Sequence, residues 1–96
     1  MSVTVILEAA IKPGKKDALV ALLDSLLPET RAYQGLTHIT IHTDAKGENI
    51  LFYEEWESAA NYEDYLQWRT ETGVMDKLGA HFSAPPAIRY FNPENI

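Results

Sequence analysis

The sequence predicts an α+β domain in which helices cover one face of an antiparallel sheet. Three observations lead to this prediction: short runs of β-branched and aromatic residues, longer stretches with apolar residues at helical spacing, and glycine or proline between them. At 96 residues the chain has room for one domain, which we expect to span residues 1–96.

The first half of the chain is predicted to form a strand, a helix and a second strand. Val3 to Ile11 is rich in β-branched residues and is followed by a proline and a glycine. Apolar leucines then recur at helical spacing, so a helix is expected from Lys15 to about Tyr33. Pro28 lacks a helical donor and predicts a kink or a break near Leu27. Leu36 to Thr43 is the second strand.

The second half repeats this order after a tight connection. The polar residues 44–49 predict a hairpin that leads into a third strand, Ile50 to Glu57. A second helix follows, with Ser58 or Asn61 as its cap. A further short helix is expected from Val74 to Phe82, and a last strand from Ala87 to Phe91.

The order strand, helix, strand, strand, helix, strand is the ferredoxin-like βαββαβ arrangement, with both helices on one face of an antiparallel sheet. The first strand is apolar on both faces, with Val5 and Leu7 on one side and Ile6 and Ala10 on the other. One helical layer covers only one of these faces. The pattern therefore predicts a homodimer that packs sheet to sheet, a dimeric α+β barrel, with a monomer of mixed outer face as the alternative.

Composition excludes several classes of protein. The chain has no cysteine, and its net charge of -6 is the wrong sign for a nucleic-acid partner. The acidic residues between Glu54 and Thr72 are interpreted as a solvated face, and their spacing is not that of a calcium loop. His38 and His42 lie about 13 Å apart along one strand, too far to share a metal ion. We expect no membrane partner, no signal peptide and a cytoplasmic protein.

Four segments carry a resemblance to a known family. They are Ile11-Lys-Pro-Gly-Lys15, Arg31-Ala-Tyr-Gln-Gly35, Tyr53-Glu-Glu-Trp-Glu-Ser58 and the closing strand Ile88-Arg-Tyr-Phe91 after two prolines. Together they resemble the antibiotic-biosynthesis-monooxygenase family over nearly the whole chain. That family also includes haem-degrading enzymes and an isomerase of a sugar-derived signal. Met75 stands about where the haem-ligating histidine would be, which argues against haem degradation.

The resemblance implies a monooxygenase that needs no flavin, metal or haem and that oxidises a small aromatic quinol, phenol or anthrone with O2. Such a substrate reduces oxygen itself once it is deprotonated, so the protein must supply an apolar pocket, a proton acceptor and donors for the anion. The alternative is a dimeric binding module that captures a small apolar metabolite without transforming it.

The resemblance also assigns two residues of the site. Trp56 and Tyr62 match pocket aromatics of the family and would hold the substrate, although both are equally suited to a packed core. His38 is the predicted proton acceptor if its face of the strand meets the helices, with a structural histidine as the alternative.

Three further residues are assigned to substrate binding. Tyr65 and Arg69 share the helix face of Tyr62 and would stabilise an anionic oxygen, with a surface ion pair as the alternative for the arginine. Phe52 completes the expected pocket. Phe52 and Asp76 depart from the family pattern, because some monooxygenases carry an amide and an arginine at these positions.

Overall fold

The computed structural model describes residues 2–96, which form a four-stranded antiparallel sheet and three helices. The predicted ferredoxin-like α+β fold is confirmed. The elements are, in chain order, β1 (Val3–Ala10), α1 (Lys16–Arg31), β2 (Leu36–Thr43), β3 (Asn49–Trp56), α2 (Ala59–Glu71), α3 (Val74–Gly79) and β4 (Ala87–Phe91).

The central strand of the sheet is β1, which lies between β3 and β4, and β2 forms the edge beyond β3. Val5 of β1 stands opposite Glu54 of β3 on one side and opposite Tyr90 of β4 on the other. Ile39 of β2 lies on the far side of Glu54. Because opposite residues of antiparallel strands share a face, these four side chains form one row across the sheet on the side of the helices.

Alternate residues of β1 and β3 face the helices and form the core, as period-two alternation requires. In β1 these are the odd-numbered residues from Val3 to Ala9, and in β3 the even-numbered residues from Ile50 to Trp56. The larger core cluster is completed by side chains of two helices, Leu19 and Leu23 of α1 and Val74 and Leu78 of α3. A smaller aromatic cluster packs around Trp56.

The opposite face of the sheet carries no helix from the described part of the chain. Ile6, Leu51 and Tyr53 are half-buried on this outer face, and Phe91 is 48% exposed. A monomer would leave these apolar side chains in contact with water. The sheet-to-sheet homodimer remains a prediction.

The first helix runs through Pro28 to Arg31, so the break that was predicted as one of two outcomes near Leu27 does not occur. Proline removes the bond to the carbonyl of Asp24, but Asp24 is exposed, so water can take the place of the missing N–H group. The turn after Pro28 is intact, since the N–H of Ala32 donates to the Pro28 carbonyl at 3.2 Å.

The third helix ends earlier than predicted, at Gly79 instead of Phe82. His81 and Phe82 donate to the carbonyls three residues before them, so the chain tightens into turns there. Phe82 then forms an isolated bridge with Ile11, which lies just beyond the end of β1.

A bulge at the start of β2 determines which of its side chains face the helices. Leu36 pairs with Trp56 and His38 pairs with Glu55, so Thr37 is the extra residue. Regular alternation along the strand would put Leu36 and His38 on the same face. The bulge separates them instead, because Leu36 packs against the Trp56 cluster on the helix side whereas His38 points away from it.

Within residues 2–96, none of the helices combines the length and the apolar character needed to cross a membrane.

Candidate functional site

A narrow cavity of about 30 Å³ lies between the sheet and the helices. That volume holds about one water molecule, whereas ligand pockets usually measure roughly 300–1,000 Å³. All three helices and strands β1 to β3 contribute to its walls, which are mainly apolar. The polar side chains in the lining are Thr30, Glu54, Tyr62, Tyr65 and Arg69.

Glu54 is the site residue that the sequence interpretation missed. The prediction placed it in a solvated acidic face, but its side chain lies on the helix side of β3 and the residue is 3% exposed. The indole N–H of Trp56 donates to its Oε1 atom at 2.9 Å. Burial raises the pKa of the Glu54 carboxyl to about 7, and the hydrogen bond from Trp56 partly opposes this rise.

A signal for this burial was present in the sequence. Ile50, Phe52, Glu54 and Trp56 share one face of β3 under period-two alternation, so a carboxyl stands in an otherwise apolar row. Of the other acidic residues in the predicted solvated face, Glu57 and Glu63 are exposed, as are Asp64 and Glu71, and Glu55 is half-buried. The solvated-face interpretation is therefore correct for most of the cluster and wrong for Glu54.

Trp56 is fully buried but is not among the residues that line the cavity. Its ring packs against three tyrosines, with centroid distances of 6.3 Å to Tyr33, 5.7 Å to Tyr62 and 5.1 Å to Tyr65. Its N–H group is used by Glu54. The structure thus places this indole behind the carboxyl, where it fixes the position of one carboxyl oxygen.

Tyr62 lies at the start of α2 because Ser58 caps that helix by accepting the N–H of Asn61 at 3.1 Å. The tyrosine lines the cavity and is 1% exposed, and its ring meets Tyr90 edge to face at 5.7 Å. Burial raises the pKa of the Tyr62 hydroxyl, and the nearby Glu54 charge raises it further. Tyr62 therefore remains a neutral hydrogen-bond donor.

Arg69 is buried, at 2% exposure, and is not the surface residue that the alternative interpretation described. Its Nε donates to the Tyr65 hydroxyl at 3.0 Å, and Nη2 donates to Thr30 Oγ1 at 3.0 Å and to the Leu26 carbonyl at 2.9 Å. The hydroxyls of Tyr65 and Thr30 are themselves 2.7 Å apart. We name these three residues, Arg69, Tyr65 and Thr30, the arginine node.

The arginine node holds a cation with little direct compensation. The nearest carboxylate to Arg69 is that of Glu29 at 3.8 Å, and the Glu29 side chain is 65% exposed. The Trp68 ring lies 4.4 Å from the guanidinium carbon and adds a cation–π contact. A buried guanidinium of this kind can stabilise negative charge that develops in the adjoining cavity.

The remaining predicted site residues are divided between the two faces of the sheet. Phe52 is buried and lines the cavity, as expected. His38 is exposed on the outer face, where its ring meets Tyr53 at 6.1 Å. The condition for its role as proton acceptor, that its face meets the helices, is not fulfilled because the bulge in β2 turns it away.

The described residues contain no group of three or more histidine, aspartate or glutamate side chains arranged to hold a metal ion.

Comparison with known proteins gives the relatives of this chain. Residues 2–72 match the family model described as antibiotic biosynthesis monooxygenase. Rv0793 of Mycobacterium tuberculosis is 29% identical over 79 residues, which are 76% of this chain and 78% of the relative. The solved structure of Rv0793 has a TM-score of 0.86 and 23% identity, and the match covers 100% of this chain and 98% of that one.

Two other solved structures share the fold at lower identity. A conserved protein from Methanosarcina mazei Go1 has a TM-score of 0.88 and 17% identity, covering 98% of this chain and 94% of its own. A monooxygenase from the gene ActVA-Orf6 of Streptomyces coelicolor, solved in complex with nanaomycin D, has a TM-score of 0.81 and 19% identity. The match covers 99% of this chain and 89% of that one. Since the family model covers most of the sequence, this chain belongs to the antibiotic biosynthesis monooxygenase family.

Proposed function

We propose that the protein is a cofactor-independent monooxygenase that oxidises a small aromatic quinol, phenol or anthrone with O2. The observation that carries this proposal is the cavity beneath the helices, where a buried carboxyl, a tyrosine hydroxyl and the arginine node line otherwise apolar walls. An apolar site with a few convergent polar groups suits a flat aromatic molecule that carries one or two hydroxyls.

The chemistry requires only the substrate, O2 and a site that favours the anion. Loss of a proton leaves an electron-rich phenolate or enolate that can reduce O2. One oxygen atom ends as a new carbonyl on the ring carbon, the other leaves as water, and the substrate supplies all four electrons. Lowering the pKa of a phenol by two units needs about 2.7 kcal/mol of preferential interaction with its anion.

The side chains around the cavity can supply this interaction. The neutral Tyr62 hydroxyl can donate to a substrate oxygen, and the arginine node places a positive charge at the wall formed by α1 and α2. Phe52 and the aliphatic walls keep the site poor in water, which strengthens both contacts. Trp56 would act through Glu54 as a positioning residue.

The cavity must widen before it can hold an aromatic ring, because its present volume suits about one water molecule. Unbranched and flexible side chains form part of its walls, among them Met75 of the six-residue helix α3. Displacement of such side chains is the opening that a substrate would need. A smaller substrate therefore needs a smaller displacement of these side chains.

One relative supports the proposed class of reaction. The Streptomyces coelicolor relative is a monooxygenase solved with nanaomycin D.

The proposal is tested by oxygen uptake of the purified, metal-free protein with anthrone and naphthohydroquinone, corrected for oxidation without protein. We expect protein-dependent uptake that falls at least about tenfold in Tyr62→Phe, which lacks the hydroxyl donor. Tyr53→Phe is the matched control, since this tyrosine lies on the outer face, and it should retain the wild-type rate. Absence of uptake with every compound would refute the proposed function.

A second candidate function is a dimeric binding module for a small apolar metabolite. It is favoured by Phe52 and Asp76, which replace the amide and the arginine of some monooxygenases; Phe52 offers no donor and Asp76 is exposed on α3. Isothermal titration with the same compounds under nitrogen separates the two functions. Saturable binding without oxygen uptake in air would select the binding module.

Dimer formation is part of both candidates. The uncovered outer face of the sheet, with Ile6, Leu51 and Phe91, supports the sheet-to-sheet homodimer. Sedimentation equilibrium should give twice the protomer mass of 10.8 kDa. Replacing Ile6 by lysine should shift this equilibrium to the monomer, and an unchanged dimer in that variant would contradict the proposed interface.

A further inference from the structure

We propose that Glu54 is the group that takes the proton from the substrate hydroxyl. This inference rests on the proposed function and assigns a residue to its first chemical step. The O–H bond of the substrate breaks, the proton binds a carboxylate oxygen of Glu54, and the bonding electron pair stays on the substrate oxygen. After product leaves, the carboxyl returns the proton to solvent.

The geometry of β3 holds this carboxyl at the cavity. Glu54 stands in the row that crosses the sheet, with the apolar side chains of Val5 and Ile39 directly beside it. Trp56 donates to Oε1, and among residues 2–96 no other side chain is hydrogen-bonded to the carboxyl. The Oε2 atom is thus the free acceptor of a carboxyl that lines the cavity.

The other groups near the cavity are less suited to accept a proton. His38, the predicted acceptor, lies on the outer face of the sheet. The Tyr62 hydroxyl is a neutral donor, and the Tyr65 hydroxyl already accepts from Arg69. Arg69 is a cation that donates to three acceptors. Glu54 is the carboxylic acid among the described lining residues.

The electrostatic surroundings suit a base that works near neutral pH. Burial raises the pKa of the carboxyl to about 7, where both protonation states are well populated in neutral solution. The charged and titratable groups that face the site are Tyr62, Tyr65 and Arg69 from α2 and Tyr90 from β4. The lining residues of β1, β2, α1 and α3 are apolar except Thr30, so Glu54 is the group expected to titrate there near pH 7.

The first test compares Glu54→Gln with the wild type in oxygen uptake against naphthohydroquinone. Glutamine keeps an acceptor for Trp56 but cannot take a proton, so we expect kcat to fall by roughly 10²–10⁴. The wild-type kcat/KM should rise through about pH 7, and the variant should lose this rise. Glu55→Gln is the control, because it removes a carboxyl from the next residue on the outer face.

A second measurement is independent of turnover and separates the two proposals. The Glu54 carboxyl is followed by carbon NMR while para-cresol, a small phenol that stands in for the substrate, is added. We expect its signal to shift with saturation and the Glu55 signal to stay in place. A protein that consumes no oxygen but shows this shift would refute the monooxygenase and retain Glu54 as the phenol contact. An unmoved Glu54 signal, or full activity of Glu54→Gln, would overturn the proposal for Glu54.

Discussion

Replacing Glu54 by glutamine should change how the free energy of unfolding depends on pH. In the folded protein the carboxyl lies between Val5 and Ile39 with Trp56 as its donor, so its charged form is poorly solvated. In the unfolded chain the same carboxyl is hydrated. Burial therefore raises its pKa from 4.5 to about 7 on folding.

The sign of the effect follows from proton binding. Between about pH 4.5 and about pH 7 the folded protein holds more protons on this carboxyl than the unfolded chain does. The free energy of unfolding must then fall as pH rises through this window. At about 1.4 kcal/mol for each pH unit, the shift from 4.5 to about 7 corresponds to a loss of about 3 kcal/mol, complete above the folded-state value.

The assay is urea-induced unfolding of both proteins at several pH values across the window, followed by tryptophan fluorescence at one fixed protein concentration. We expect the wild type to lose about 3 kcal/mol relative to Glu54→Gln between the two ends of the window. Glu55→Gln, which removes a half-buried carboxyl from the outer face, should follow the wild type. Parallel curves for wild type and Glu54→Gln would show that the pKa of the Glu54 carboxyl does not rise on folding.

Two further predictions concern stability. Thr30→Val removes a hydroxyl from the arginine node and should lower the free energy of unfolding by about 2–3 kcal/mol in thermal unfolding. Thr70→Val is its control, because the Thr70 hydroxyl bonds only its own helix at the surface. This control should change the free energy of unfolding by less than about 0.5 kcal/mol. Gly35→Ala should lower the free energy of unfolding, measured in urea, by at least about 1 kcal/mol more than Gly14→Ala does. Both glycines have positive φ, but only at Gly35 would an added Cβ collide with the Asn61 side chain. Equal losses within either pair would contradict these assignments.

Most of the fold could be predicted because it depends on local periodicity. The bounds of β2 and β4 agree with the prediction, and the paired strands β2 and β3 follow from the polar connection at residues 44–49. The helix is not broken at Pro28 because the cost of the proline falls on the exposed Asp24 carbonyl, which water can satisfy. The effect of a proline depends on the surroundings of the carbonyl four residues earlier, which periodicity does not describe.

The positions of the candidate residues follow in part from the sequence. Tyr62, Tyr65, Arg69 and Phe52 line one cavity because helical and strand spacing place them on inward faces. His38 lies elsewhere because a single extra residue in β2 reverses the alternation, and nothing in the local sequence marks that bulge.

Glu54 was assigned to solvent because acidic neighbours dominate its surroundings in the sequence, although strand alternation places it inside. Arg69 is buried because α1 and α2 pack together. This packing brings Thr30 and Leu26 of α1 to the guanidinium of Arg69, although they lie far from it in the sequence. The width of the cavity depends on the packing of all the surrounding side chains at once. These features follow from tertiary packing and could not be read from local patterns.

We propose that the protein transfers one oxygen atom from O2 to an aromatic substrate. This transfer can be followed by mass spectrometry of the product formed from anthrone under oxygen gas enriched in the heavy isotope, with a parallel reaction in isotopically heavy water. We predict one heavy atom per product molecule from the gas, none from water, and formation that depends on the protein. Product formed at the protein-free rate, or labelled from water, would contradict the proposed oxygen transfer.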